Sequence, residues 1–388
     1  MDFRLVAVIL GVVLPIGLPV AAPFLPQHDG QVLERLPARR DDPAMAELRQ
    51  LRERLAAAPG NAEAAAALAQ RYFELASADG DPRYVGYAEA ALRPWKDGDA
   101  PAEVAFARAL VRQYRHDFAG ALADLERTLA LDPEHVEARA WRAAIFMVQA
   151  DYPAAARECV ALDGRASELL ATGCAAYVEA TTGDARGAYR RLAEALRRAT
   201  AAGPYARLWT LTRLAEMATR LSDDAGAERH FRDALALGIT DNFVLAAYAD
   251  FLLAHRRAAE VVALLKDWER SDTLLLRLAL AEQSLGLPAA ARHSQALGER
   301  FAAAALRGEK LHLAEEARYL LDLKKDPAAA LAAAAENWKS QREPRDALVL
   351  LEAAAAARAP AAAAPALRWL DATRFEDEHL RSVAARLK

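Results

Sequence analysis

From Asp42 onward, apolar residues recur at the three- and four-residue spacing of one helix face. They fall in segments of about 12–17 residues. Short breaks with turn chemistry divide the segments: Pro59-Gly60-Asn61, Asp97-Gly98-Asp99, Asp132-Pro133, Gly183-Asp184 and Gly286-Leu287-Pro288. No useful run of strict apolar–polar alternation occurs, so a sheet is not expected. The first residues depart from this pattern. Leu5 to Val20 carries no charge, and Val20-Ala21-Ala22 supplies small residues. Residues 1–22 therefore read as a secretory signal or an N-terminal anchor, shorter than the ~20 apolar residues that a spanning helix wants. Residues 23–41 read as a linker, and residues 42–388 as one helical array ending in capping helices. Glu376 to Lys388 reads as a polar-faced closing helix.

Within the array one pattern repeats: a turn, then small residues that open a second helix. It stands as Asp117-Phe118-Ala119-Gly120-Ala121, then Asp151-Tyr152-Pro153-Ala154-Ala155, then Asp223-Asp224-Ala225-Gly226-Ala227. Equivalent small residues fall at Ala88, Ala121, Ala155, Ala188, Ala227, Val261 and Ala291. The period is about 34 residues, with two helices in each unit. Past Ala291 two segments look like second-helix starts, Asp326-Pro327 and Glu343-Pro344.

This period and these residues resemble the tetratricopeptide repeat. The resemblance covers most of residues 61–300 and the remainder by extension. Residues 83–95, 159–192 and 336–354 also resemble segments of exported bacterial repeat proteins, a likeness that brings no activity with it. The repeat resemblance implies an all-α fold, a right-handed α-solenoid of stacked antiparallel helix pairs. It also implies a concave groove lined by the first helix of each pair. Carried onto this chain, the groove positions include Phe106, Leu110, Gln113, Tyr114, Met147, Tyr177, Trp209, Glu216, Arg220 and Asp250. Aromatics and Arg are the usual anchors of a binding surface. The same phase puts Cys159 on a second helix and Cys174 on the first helix that follows, joined by the loop around Asp163-Gly164-Arg165. In an oxidising compartment these two cysteines are expected to form a disulfide; the alternative is two reduced thiols in contact.

Composition narrows the function. The 388 residues carry 50 Lys and Arg against 54 Asp and Glu, a net charge of −4, so a globally basic nucleic-acid binder is excluded. With 54% hydrophobic residues the chain can bury a core and is not a disordered acidic polymer. No phosphate loop, nucleophile elbow, H-E-x-x-H or paired Cys set is present. His312 with Glu315 and Glu316 is the nearest approach to a metal pair, and it reads as a solvated helix face. No cofactor and no catalytic residue is expected. The chain reads as a non-enzymatic protein–protein interaction scaffold of the bacterial cell envelope, periplasmic or otherwise exported. It would hold another envelope protein or a peptide in the groove, and touch the membrane only through an uncleaved N-terminus. The alternatives are a metal-handling accessory protein and a structural component of an envelope export assembly.

Overall fold

The computed structural model describes residues 43–95, 99–309 and 312–387. The segments read from the sequence as a signal or anchor (1–22) and a linker (23–41) lie outside the described residues, among which there is no strand. The first helix is α1 (Pro43–Ala57). Helix pairs follow: α2 (Ala62–Asp79) with α3 (Arg83–Leu92), α4 (Ala102–Tyr114) with α5 (Phe118–Leu131), and α6 (Val136–Val148) with α7 (Tyr152–Ala161). Next come α8 (Glu168–Thr181) with α9 (Ala185–Arg198), α10 (Pro204–Arg220) with α11 (Asp224–Leu235), and α12 (Asn242–Ala254) with α13 (Ala258–Leu265). The last pairs are α14 (Asp272–Ser284) with α15 (Ala289–Leu306) and α16 (Leu313–Asp322) with α17 (Pro327–Asn337). Beyond them lie α18 (Pro344–Ala356), a 3-10 turn (Pro360–Ala363), α19 (Ala364–Thr373) and α20 (Glu378–Ala385). First helices of neighbouring pairs also pack on one another, α2 on α4, α6 on α8, α8 on α10, α10 on α12, α12 on α14 and α14 on α16. This is an α-solenoid: one pair cannot bury its apolar face alone, and stacking buries it.

A single local device starts most second helices. One residue takes the left-handed conformation: His116, Ala150, Gly183, Ser222 or Lys325. The next residue is an Asp whose carboxylate accepts the backbone N–H three residues on, at Asp117, Asp151, Asp184, Asp223 and Asp326. The left-handed turn reverses the chain, and the cap satisfies one of the orphan donors at the new helix's start. Arg256 and Arg358 hold the same conformation ahead of α13 and the 3-10 turn. These turns continue the repeat to the end of the chain and correct the reading of one segment. Asp326-Pro327 does open a second helix, α17. Glu343-Pro344 instead opens α18, a first helix. Glu343 is extended, with φ −80° and ψ 164°, and forms a capping box with Asp346.

The closing helix α20 turns a polar face outward, with Glu378, Arg381 and Arg386 exposed, and an apolar face inward. Leu380, Val383 and Ala384 of α20 are buried, and Phe375 just before it is wholly so. They join Trp338, Trp369 and Leu350 in one apolar cluster, against which Tyr152 of α7 packs. Trp369 Nε1 donates to Tyr152 Oη at 2.7 Å, so the aromatic cluster ties the chain's end to the third helix pair.

Close helix approach depends on small residues. Gly173 of α8 faces Trp209 of α10, and a Cβ added there would stand 2.5 Å from a ring carbon of the indole. Gly173→Val is therefore expected to destabilise the protein by about 1–3 kcal/mol through overpacking. Urea unfolding measures this; an unchanged midpoint would show that the indole swings away freely.

Candidate functional site

The C-terminal helices approach the inner helices through a short link. Residues Gln341 to Glu343 join α17 to α18 outside any helix and meet residues on or just past three successive first helices. Gln341 Nε2 lies 3.1 Å from His116 Nδ1, just past α4. Arg342 N donates to Val148 O, at the end of α6, at 2.8 Å. Tyr177 Oη, on α8, donates to Glu343 Oε1 at 3.5 Å. Farther on, the Glu376 carboxylate accepts the Ala185 N–H at the start of α9, and Ser222 Oγ donates to Glu378 at 3.2 Å.

Behind this link the inner face is open. A cavity of about 560 Å³ lies between α10, α12 and α14 on one side and α16, α18 and α20 on the other. Its walls are largely apolar, with Phe243, Phe251, Leu276, Leu280 and Val349 among them. Most charged groups in it are already paired. Arg277 binds both carboxylate oxygens of Asp250, at 2.9 and 2.7 Å. Arg213 Nη1 lies 3.0 Å from Glu216, Arg345 Nη2 lies 2.8 Å from Glu343, and Arg318 joins Asp322 and Glu352. Aromatic faces support the cations. The Arg213 guanidinium stands 4.7 Å from the ring centres of both Tyr177 and Phe243, and Arg345 lies 5.7 Å from Phe243.

Two charges of opposite sign are not paired. Arg220 makes no hydrogen bond or ion pair; its Nε is buried without a partner, and its guanidinium lies 4.5 Å from the centre of the Phe375 ring. Burial pulls this cation below its ordinary value, against the opposing field of Glu216. Glu315 likewise makes no hydrogen bond or ion pair with another side chain. Burial alone would raise its carboxyl, but His312, Arg277 and Arg345 around it hold it below the usual range, so it stays charged.

The expected groove residues separate into two groups. Tyr177, Glu216, Arg220 and Asp250 line the cavity. Phe106 and Leu110 are buried in a cluster with Phe73, Phe118 and Leu125, and Tyr114 packs against it. Met147 is buried beside Cys159 and Val178. Trp209 packs against Gly173, and Gln113 is half-buried at the end of α4. Cys159 and Cys174 stand at disulfide distance, with Cα atoms 5.4 Å apart. Arg213, Glu343, Arg345 and Phe375 were not expected at the site. Their signal is tertiary: a one-turn offset along α10, and a docked segment remote in sequence.

The link carries a titratable group. Gln341 Nε2 donates to His116 Nδ1 and to Asn337 Oδ1, and Asn337 Nδ2 donates to Asp346. Burial pulls the His116 imidazole down from 6.5 to about 4, which matches its role as a neutral acceptor. The unfolded chain takes up this proton near pH 6.5, and the folded one only near pH 4. Stability from this group is complete above pH 6.5 and is lost as pH falls toward 4, by about 3 kcal/mol at most. Asp346, raised by burial, works in the opposite direction. The measurement is therefore a difference: from pH 7 to pH 4.5 the wild type should lose more stability than His116→Asn. Equal losses in urea titrations would show that the imidazole is not held neutral.

No family model matches the chain, and no curated protein matches it. Among solved structures, the Cut9–Hcn1 hetero-tetramer of APC/C aligns at a TM-score of 0.31 and 14% identity, over 89% of this chain and 86% of that one. Yeast Tom70 aligns at 0.30 and 13% identity, over 90% and 93%. The TPR domain of P58(IPK) aligns at 0.21 and 13% identity, over 81% and 94%. The helix pairs of the chain itself, not these likenesses, establish the α-solenoid.

Proposed function

We propose that the chain is a non-enzymatic interaction scaffold of the bacterial cell envelope that holds a segment of a partner protein or peptide against its inner helices. One observation carries the reading. The link Gln341–Glu343 already lies across α4, α6 and α8 as a bound peptide would, one residue to each repeat, held by a backbone bond to Val148 and side-chain bonds to His116 and Tyr177. The cavity behind it adjoins the link through Tyr177 and Glu343, with cations mounted on aromatic rings and a mostly apolar wall. Pockets of about 300–1,000 Å³ with a few convergent polar groups are the usual form of a binding site.

A photocrosslinking side chain at Asp250, whose carboxylate is 53% exposed, reports on this face. A defined adduct should form in cells, and Arg220→Met should reduce it by about tenfold, the scale of one lost anchor. If no adduct forms, or if Arg220→Met leaves its yield unchanged, the cavity is not the contact. Export belongs to the same proposal and is motivated by the uncharged run Leu5–Val20. Residues 1–30 fused to a reporter active only outside the cytoplasm should give activity, and a silent fusion would remove the envelope from the reading.

A further inference from the structure

The turns that follow the first helices form one edge of the array, and its chemistry changes along the chain. At most of these turns the residue after the left-handed one is the capping Asp. Between α14 and α15 that pattern breaks. Gly286 is left-handed, with φ 67°, but Leu287 stands where the Asp would be, and α15 starts without a side-chain cap. Leu285 and Leu287 are 45% and 39% exposed on either side of the glycine. Every residue from Gln283 to Pro288 is exposed, and none from Gln283 to Ala291 is charged. An apolar tip thus stands where the repeat otherwise places a carboxylate.

The turns beside it are basic. First helices α12, α14, α16 and α18 pack in that order, and the pairs Arg277–Asp250 and Arg318–Glu352 join neighbours along the row. Their turns therefore stand side by side, about 8–10 Å apart from one helix to the next. Arg256, Lys325 and Arg358 are the left-handed residues after α12, α16 and α18, and all three are exposed, as is Lys324. None of these cations has an ion-pair partner among the described residues. The acids close by are engaged elsewhere: Asp224 with His255, Glu228 and Glu260 with Arg257, and Asp322 and Glu352 with Arg318. Asp326 caps α17. Along the edge the order is basic, apolar, basic, basic.

This combination selects the partner. Protein interfaces draw most of their energy from aromatic anchors seated in pockets, and these four turns carry no Phe, Tyr or Trp. Two leucines at a turn also bury far less area than a stable protein interface needs. A bilayer surface needs no matching shape. It takes a short apolar tip at the boundary of headgroups and acyl chains, and anionic headgroups attract the Lys and Arg around it. We infer that the edge formed by the turns after α12, α14, α16 and α18 binds an anionic lipid surface. Leu285 and Leu287 enter the boundary region, and the flanking cations lie against the headgroups. The contact does not depend on a ligand in the cavity.

Photocrosslinking of the full chain to vesicles tests the inference. A benzophenone side chain is placed at Leu287 or, as a control, at Val160, which is 75% exposed on α7 near the opposite edge. Both proteins carry the same N-terminus, so any attachment through residues 1–22 is common to them. On vesicles of phosphatidylglycerol and phosphatidylcholine, the probe at Leu287 should form a lipid adduct at least about tenfold more abundant than the probe at Val160. Each lysine near an anionic surface is worth about fivefold, so Lys324→Gln with Lys325→Gln should lower the Leu287 adduct by about tenfold or more. Phosphatidylcholine vesicles should lower it similarly. The substituted residues are exposed, and an unchanged urea midpoint confirms that each variant is folded. Equal adducts from the two positions would overturn the inference, because no particular edge would then face the lipid. An adduct indifferent to phosphatidylglycerol and to the lysine substitutions would overturn the anionic surface. In cells the Leu287 adduct should again be lipid, and a protein adduct in its place would make the edge a protein interface and overturn the reading.

Discussion

Asp124→Ala should lower stability by about 3–5 kcal/mol, because it breaks a buried ionic clamp from one side. Asp124 of α5 is 3% exposed and receives two guanidinium groups from α4. Arg108 donates through Nη2 at 2.5 Å and Nε at 2.9 Å, and Arg112 through Nη1 at 2.7 Å. The two arginines stand four residues apart on one helix face, so a single carboxylate reaches both. Removing it withdraws the acceptor that two largely buried guanidinium groups share. The effect should be local. In a stacked array stability is close to a sum over units and their interfaces. Hydrogen exchange in α4 and α5 should rise well before exchange in α14, and urea unfolding should report the overall loss. A loss below about 1 kcal/mol would place this trio with ordinary surface ion pairs.

The same clamp recurs one unit later. Arg142 Nη2 of α6 lies 3.1 Å from Glu158 of α7, and Arg139 lies 3.7 Å from it. Arg108 and Arg142, like Asp124 and Glu158, are equivalent positions of the repeat. Period, helix pairs and Asp caps were thus legible in the sequence, because each is written locally and then repeated. The left-handed turns were not, because His116, Ala150, Ser222 and Lys325 share no side-chain signature. The groove was half legible. Glu216, Arg220 and Asp250 follow the helix phase to the inner face, but Phe106, Leu110 and Met147 follow the same phase and are buried by neighbouring helices. Ala-rich helices pack so closely that a large residue facing inward is covered rather than displayed. What occupies the inner face was illegible. Gln341 meets His116, and Arg342 meets Val148, across sequence separations that no local period spans.

Reduction of the Cys159–Cys174 pair should lower stability by about 3 kcal/mol while leaving the helices in place. Cys159 lies on α7 and Cys174 on α8, two helices joined by the short turn around Gly164, at a sequence separation of 15. A Cα separation of 5.4 Å falls inside the range a disulfide requires. The bond closes a short loop, and its main effect is to restrict the unfolded chain rather than to add a native contact. Cys159 is 4% exposed and packs with Met147, Ala155 and Val178, so the reduced thiol would remain a buried apolar group in the same place. Circular dichroism should therefore be unchanged by reductant, and the urea midpoint should fall. Cys159→Ala combined with Cys174→Ala should show nearly the same fall, plus a small term for the sulfur atoms removed. In protein purified without reductant, mass spectrometry after denaturing alkylation should find both cysteines unmodified. Two alkylated thiols, or a midpoint indifferent to reductant, would mean that the pair is a contact and not a bond. That result would also weaken the case for an oxidising compartment, since these are the only two cysteines in the chain.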